Sequence, residues 1–306
     1  MTKNKKINDS CNNSAMPERP DLSFPFVSGS CNQKKWRLVY LFSAPLLLLI
    51  IWSILANSLD KPYLLPTPTN TFSLFLHPRT NLLSQGSLLT NTLVSLLRIC
   101  FGFGLAVIVA IPLGALLGGV NPLRHIFEPI IEILRPICPI AWIPFAIAVF
   151  KLTTLPQFVG FGYTGTILDQ LQIGMIFVIF WGAFFPILIN TLDGVAGVRK
   201  NYIKLAGMLG AGKVQLLTKV ALPAASPMIL TGLRQGIGLC WFVIIAAEML
   251  PGSDSGIGYL LMYAADQSAM DIVVASIIII GIIGAAFNFL MVFASQKFLK
   301  WQSKEI

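Results

Sequence analysis

The chain has 306 residues, of which 55% are hydrophobic and 11% charged, whereas a soluble domain carries about a quarter charged residues. With a mean hydropathy of +0.76, there is more apolar surface than soluble cores of this size can hide. A water-soluble enzyme is therefore set aside in favour of an all-α, multi-pass membrane protein. The net charge of +9 comes from 22 Lys and Arg against 13 Asp and Glu, and its location decides its meaning. Basic flanks fix membrane orientation, while nucleic-acid binding would need the charge gathered on one polar face.

Residues 1–37 are polar and rich in Asn, Ser and Lys; they lack the apolar core of a signal peptide and read as a disordered tail. Cys11, Cys31, Cys100, Cys138 and Cys240 form no CxxC pair, and those inside apolar segments act as small hydrophobes. A helical span needs about 20 residues, and 38–56 is the first run to qualify. The second covers 99–120 and starts earlier, near Leu88, with Arg98 a lone charge in its pattern. A third, about 124–150, contains Pro129, Pro136, Pro139 and Pro144, which predicts a kinked or broken helix. Residues 170–192, 223–250 and 272–296 complete six spans, leaving 301–306 as a short tail and 38–300 as one transmembrane domain.

Six crossings put both termini on one side. With the termini inside, most Lys and Arg fall on inner segments and the outer ones hold only Lys61, Arg79 and Lys151, as the positive-inside rule requires. Two nucleotide-like patterns fail on context. The GxGxxG at 160–165 lies in an outer loop with no preceding strand. The near P-loop from Gly207 to Lys213 is followed by Val214, where Ser or Thr would hold magnesium. His77 and His125 fall on opposite sides, so no metal or nucleophilic constellation is visible. Gly114 with Gly118, and Gly232 with Gly236, are small-residue pairs suited to close helix packing or to a subunit interface.

Charges within spans are the stronger functional lead, since each is costly in hydrocarbon. They are Arg98, Glu128, Glu132, Arg135, Arg234 and Glu248. Arg98 lies about 15 Å in from Leu88 and Arg234 about 16 Å in from Pro223. Three arginines at depth would favour an anion in transit; the plainer alternative is pairing with the glutamates. Trp142 and Trp241 either line the same path or pack in the core.

The longest inner loop, 193–222, is amphipathic. A short helix runs from Tyr202 to Gly210, a turn follows at Gly210 to Gly212, and a second stretch from Lys213 ends at Pro223. This loop resembles the coupling motif of bacterial ABC importer permeases, in which EAA, a Gly four residues after the second Ala, and an Ile-x-Leu-Pro ending recur. Ala206 matches the second Ala, Gly210 the Gly, and Val220, Leu222 and Pro223 the ending; Lys204 and Leu205 depart from the pattern. Arg98 with Gly102, Arg135 and Pro136 with Trp142 and Pro144, Gly232 and Arg234 with Trp241, and Glu248 resemble the nitrate, sulfonate, taurine and bicarbonate branch. Phe177, Phe180, Pro186 and Asn190 are most similar to the cyanobacterial nitrate and bicarbonate permeases. The 151–173 segment is longer than that branch leads one to expect.

The resemblance implies a permease subunit without nucleotide hydrolysis of its own, in a bacterial inner membrane. Its implied partners are a second permease chain, two cytoplasmic ATPases carrying ATP and Mg, and a periplasmic or lipid-anchored binding protein that delivers a small anion. Nitrate, nitrite or bicarbonate is favoured over a sulfonate such as taurine. It further implies that Tyr202, Lys204, Ala206, Gly207, Gly210 and Lys213 grip the ATPase, while Arg98, Arg135, Trp142, Arg234, Trp241 and Glu248 are the candidates for the translocation path. A channel or secondary transporter would share the spans and buried charges but leave the Gly and Leu-Pro spacing of the inner loop unexplained.

Overall fold

The computed structural model describes residues 33–59, 61, 63–160, 162–163 and 166–298. The tail expected at 1–32, Cys11, Cys31, the 301–306 tail and Phe161, Thr164 and Gly165 of the GxGxxG pattern lie outside these residues. The chain divides into two units, Met1–Ile51 and Trp52–Ile306; the site lies in the second.

The described structure is all-helical apart from two isolated bridges. Helix α1 spans Gln33–Leu59 and so begins five residues before the expected span. Gln33, Lys34, Lys35 and Arg37 are good helix formers, and a helix once nucleated extends into such flanks. A short α2, Pro68–Leu76, follows. Helix α3, Leu88–Gly119, begins with the Ser87 hydroxyl accepting from the Thr90 amide, which satisfies one of the open first-turn N–H groups.

The proline-rich third segment is broken, as expected. Helices α4, Asn121–Leu134, and α5, Ile143–Phe150, flank a 3-10 turn, Pro139–Trp142, and the two halves meet at 88°. Beyond α5, the small helix α6, Leu155–Val159, sits in a loop closed at its base. Leu155 N–H donates to Leu171 O and Ile173 N–H to Thr153 O, at 2.8 and 3.1 Å. That closure lets the long 151–173 segment stand on the fold without spreading the helices on either side of it.

Helix α7 covers Ile173–Ala196. The 193–222 loop then forms α8, Lys200–Met208, and α9, Lys213–Leu216. Here the structure corrects one expectation: Pro223 does not separate the loop from the next span. Residues Leu217–Ala221 are π-helical, with Leu222 N–H reaching Leu217 O, and α10, Leu222–Glu248, continues directly. Pro223 has no N–H to give the preceding turn, and a widened turn just ahead of it keeps the helix whole. The result is one helical run from Lys213 to Glu248. Helices α11, Ile257–Asp266, and α12, Met270–Phe298, end the described chain.

Four helical runs are long and apolar enough to cross a membrane: α3, α7, the α9–α10 run and α12. The bent α4–α5 pair adds a fifth if it counts as one span, and α1 contributes a shorter apolar stretch, Leu46–Leu59. The core is where α3, α7 and α10 meet, around Ile99, Ala106, Ile179, Ala183, Ile187 and Ile244. The glycine pairs set that packing. A Cβ on Gly114 would sit 2.8 Å from Leu188 O, and one on Gly118 2.6 Å from Leu192 O, so α3 lies directly on the α7 backbone. Gly232 gives α10 the same approach, 2.9 Å from Pro186 O. Between helices in lipid, contact of this kind replaces the hydrophobic effect as the source of adhesion.

Candidate coupling surface and substrate path

The 193–222 loop owes its shape to one turn. After α8, Ala211 N–H donates to Ala206 O and Gly210 N–H to Gly207 O, at 3.1 and 3.0 Å, while Gly210 takes φ +78°. This is a Schellman termination, and it explains the four-residue Ala206 to Gly210 spacing: Ala206 supplies the carbonyl that closes the turn, and Gly210 supplies the left-handed residue. Gly212 N–H then donates to the Gln215 side chain at 3.2 Å, opening the next helix.

Around that turn the surface is apolar and exposed. Tyr202, Leu205, Met208, Leu209 and Val214 all face outward, with Met208 and Leu209 at 84% and 83%. Lys204, Gly207 and Lys213 are exposed beside them, and Ala206 is half-buried. No neighbouring atom lies within 4 Å of a Cβ built on Gly207 or Gly210, so Gly210 is required by its backbone angle, with free space around it. The resemblance of Gly207 to Lys213 to a P-loop has the same origin. The segment is a helix end and turn preceded by α8, whereas a P-loop follows a strand.

At the opposite end of α10 the structure brings two of the candidate path residues together. Arg98 Nη1 donates to Glu248 Oε1 at 2.8 Å, with both side chains at 0% exposure. Ser95 Oγ also donates to the Glu248 carboxylate at 2.8 Å, and Gly258 N–H at 3.1 Å. Arg98 further donates to Ser255 O and to Gln170 O, at 2.9 and 2.7 Å. Asn91 Oδ1 accepts from Gly256 N–H at 2.9 Å and Ser95 Oγ from Ile257 N–H at 3.0 Å. The groups in this knot come from α3, the segment before α7, the end of α10, the loop into α11 and the first turn of α11. The glycines make room for it. A Cβ on Gly256 would collide with the Glu248 carboxylate, and one on Gly258 would lie 2.9 Å from Glu248 Cβ. A charge buried so completely is tolerated when it is paired and hydrogen-bonded; both Arg98 Nη atoms have partners, while its buried Nε has none among the described residues.

The remaining candidates lie elsewhere. Arg234 and Trp241 line an open groove of about 660 Å³ between α10 and α12, with Gln235, Phe242, Phe287 and Asn288. Arg234 Nε and Nη2 both donate to Asn288 Oδ1, at 3.2 and 3.0 Å, and buried Trp241 donates to Ile280 O at 3.1 Å. Arg135 is exposed at the end of α4. Trp142 packs in an aromatic cluster with Phe145, Phe177 and Trp181. Neither Arg135 nor Trp142 joins the knot or the groove. Glu128 pairs with Arg124 at 3.1 Å, and Glu132 is exposed. Sequence reasoning missed Ser95, Asn91, Ser255, Gly256, Gly258 and Asn288. A Ser three residues before Arg98 and the Gly-x-Gly after the fifth span were the available signals; Asn288 had none.

Comparison with known proteins agrees with this architecture. Residues 110–300 match the family of binding-protein-dependent transport system inner membrane components. The chain belongs to this family of ABC importer permeases. It is similar to a putative ABC transporter permease of Methanocaldococcus jannaschii, 43% identical over 90% of this chain and 96% of the relative. It is also similar to a bicarbonate transport system permease of Synechococcus elongatus, 36% identical over 82% of this chain and 87% of the relative. A nitrate import permease of Synechocystis is 35% identical over 78% of this chain and 80% of that one. The permease thus falls in the nitrate and bicarbonate branch and is a multi-pass membrane protein. Among the described residues no group of His, Cys, Asp or Glu is arranged to hold a metal.

Proposed function

We propose that this permease forms, with a second copy of itself, the membrane path of an ATP-driven importer for a small planar anion of the nitrate or bicarbonate kind. Its similarity to permeases named for those two anions supports the substrate class. In this reading α1 and the bent α4–α5 pair join the four long spans to give six, with both termini in the cytoplasm and the chain in the plasma membrane. Two cytoplasmic ATPases, which carry ATP and Mg, take up the inner loop. A binding protein outside, soluble or lipid-anchored, delivers the anion.

The observation that carries the reading is the continuity of the inner loop with α10. An exposed apolar helix end at Leu205, Met208 and Leu209 is a fit for a groove on a partner, with Tyr202, Lys204, Ala206, Gly207, Gly210 and Lys213 around it. From Lys213 the helix runs unbroken to Glu248, about 50 Å at 1.5 Å per residue. A displacement of the loop by the closing ATPases therefore reaches the outer end through a rigid rod. There the Arg98–Glu248 knot ties α10 to α3, α11 and the segment before α7, so the outer ends move as one piece. Of the path candidates, Arg234 and Trp241 face the groove, while Arg98 and Glu248 hold its outer frame; Arg135 and Trp142 mark the bend of the broken span.

The test is purification of the tagged permease from native membranes in mild detergent, with co-purifying chains identified and ATP hydrolysis and anion uptake measured. An ATPase at equal stoichiometry, with ATP-dependent nitrate or bicarbonate uptake after reconstitution, is the expected result. Anion flux without ATP, and no ATPase crosslinked in intact membranes, would overturn it in favour of a channel or carrier.

A further inference from the structure

Arg234 differs from Arg98, the other arginine deep within a long span. It lies about 21 Å along the helix from Glu248, well inside the roughly 30 Å of hydrocarbon, yet its side chain is exposed to the α10–α12 groove. No Asp or Glu lines that groove, and the ion pairs among the described residues are Arg98–Glu248 and Arg124–Glu128. Among the described residues the acceptor of the guanidinium is a neutral one, Asn288 Oδ1 on α12. A guanidinium has five donors in a planar fork, and an amide oxygen on its Nε and Nη2 leaves the Nη1 donors uncommitted. Arg98, with its carboxylate and carbonyl partners, is neutralised and fully enclosed; Arg234 is oriented and left charged.

Resting on the anion-importer reading, we propose that Arg234 is the residue that contacts the anion in transit, and that Asn288 is its positioning residue. Asn288 sets charge selectivity by holding the guanidinium without cancelling it. The chemistry fits a small planar oxyanion, whose in-plane oxygens accept from a guanidinium fork. The groove's apolar walls at Phe242 and Phe287 strengthen the attraction by lowering the local dielectric. An Asp at position 288 would have nearly the same shape and would convert the site into a closed ion pair of the Arg98–Glu248 type.

The experiment uses the permease with its ATPase and binding protein in liposomes, and labelled nitrate and bicarbonate with ATP inside the compartment that holds the ATPase. N288D is expected to lower uptake of both at least tenfold, while assembly and ATP hydrolysis stimulated by the loaded binding protein persist. N288Q, which keeps a neutral acceptor, should retain most of the uptake, a rescue that a packing role for Asn288 would not produce. R234Q should fall with N288D, and it decides the matter if N288D does not assemble. Wild-type uptake of neither anion would overturn the importer reading and this inference with it. Wild-type uptake with N288D or R234Q unchanged would overturn this inference alone.

Discussion

Replacing Glu248 by Gln tests the knot at the end of α10. The carboxylate accepts from the Arg98 guanidinium, the Ser95 hydroxyl and the Gly258 amide, at 2.8, 2.8 and 3.1 Å. Gln keeps the shape but turns one oxygen into a donor facing other donors, and it leaves Arg98 charged at 0% exposure. Removing one member of a buried ion pair costs about 3–5 kcal/mol. At roughly 2–4 °C per kcal/mol for a unit of this size, the melting midpoint in detergent should fall by on the order of 10 °C. The pair R98M/E248L supplies the converse. It strands no charge, so it should cost less than the two single changes together. It still removes the donors that serve the Gln170 and Ser255 carbonyls, so it should remain about 1–3 kcal/mol below wild type. Thermal unfolding followed by size-exclusion chromatography reads all four variants. An E248Q protein melting within about 2 °C of wild type, or a double variant as unstable as the summed singles, would refute the view that charge pairing is what holds these elements.

Other consequences concern the loop and the packing. At Gly210, with φ +78° and open space around it, Asn should be tolerated and Val or Trp not, since a β-branched or bulky residue in the left-handed region costs about 1–2 kcal/mol or more. ATP-coupled uptake should therefore survive G210N and be lost in G210V and G210W, with the helical spans intact by circular dichroism. Met208→Ser with Leu209→Ser removes two exposed apolar side chains from the end of α8. Stability should change by less than about 0.5 kcal/mol, while ATPase recovered on the tagged permease drops; undiminished recovery would count against that surface as the docking site. Gly118→Leu drives a side chain into Leu192 O and Val195 on α7, 2.6 and 2.9 Å from the first added carbon. The α3–α7 contact has no slack, so monodisperse protein should not be recovered by size-exclusion chromatography; normal recovery would contradict the close-packed interface.

Hydropathy alone located the long spans, because a helix in lipid must satisfy its own backbone and present a long, mostly apolar run. Proline density at 129–144 was enough to show that the third segment breaks, and the glycine pairs at 114 and 118 and at 232 and 236 were legible as contact points. The spacing of Ala206 and Gly210 marked the turn after α8, since a Schellman turn has a fixed length. What the sequence did not contain was the joining of the loop to α10: Pro223 reads as a stop, and only the π-helical turn over Leu217–Ala221 shows how the chain passes it. Nor did it distinguish one arginine from another. Arg98 and Arg234 each read as a lone cation in a span, yet one meets Glu248 across 150 residues and the other meets Asn288 across 54. A charge's partner is chosen by which helix faces bring their residues together in space, and that is a property of the packed bundle that local sequence cannot express.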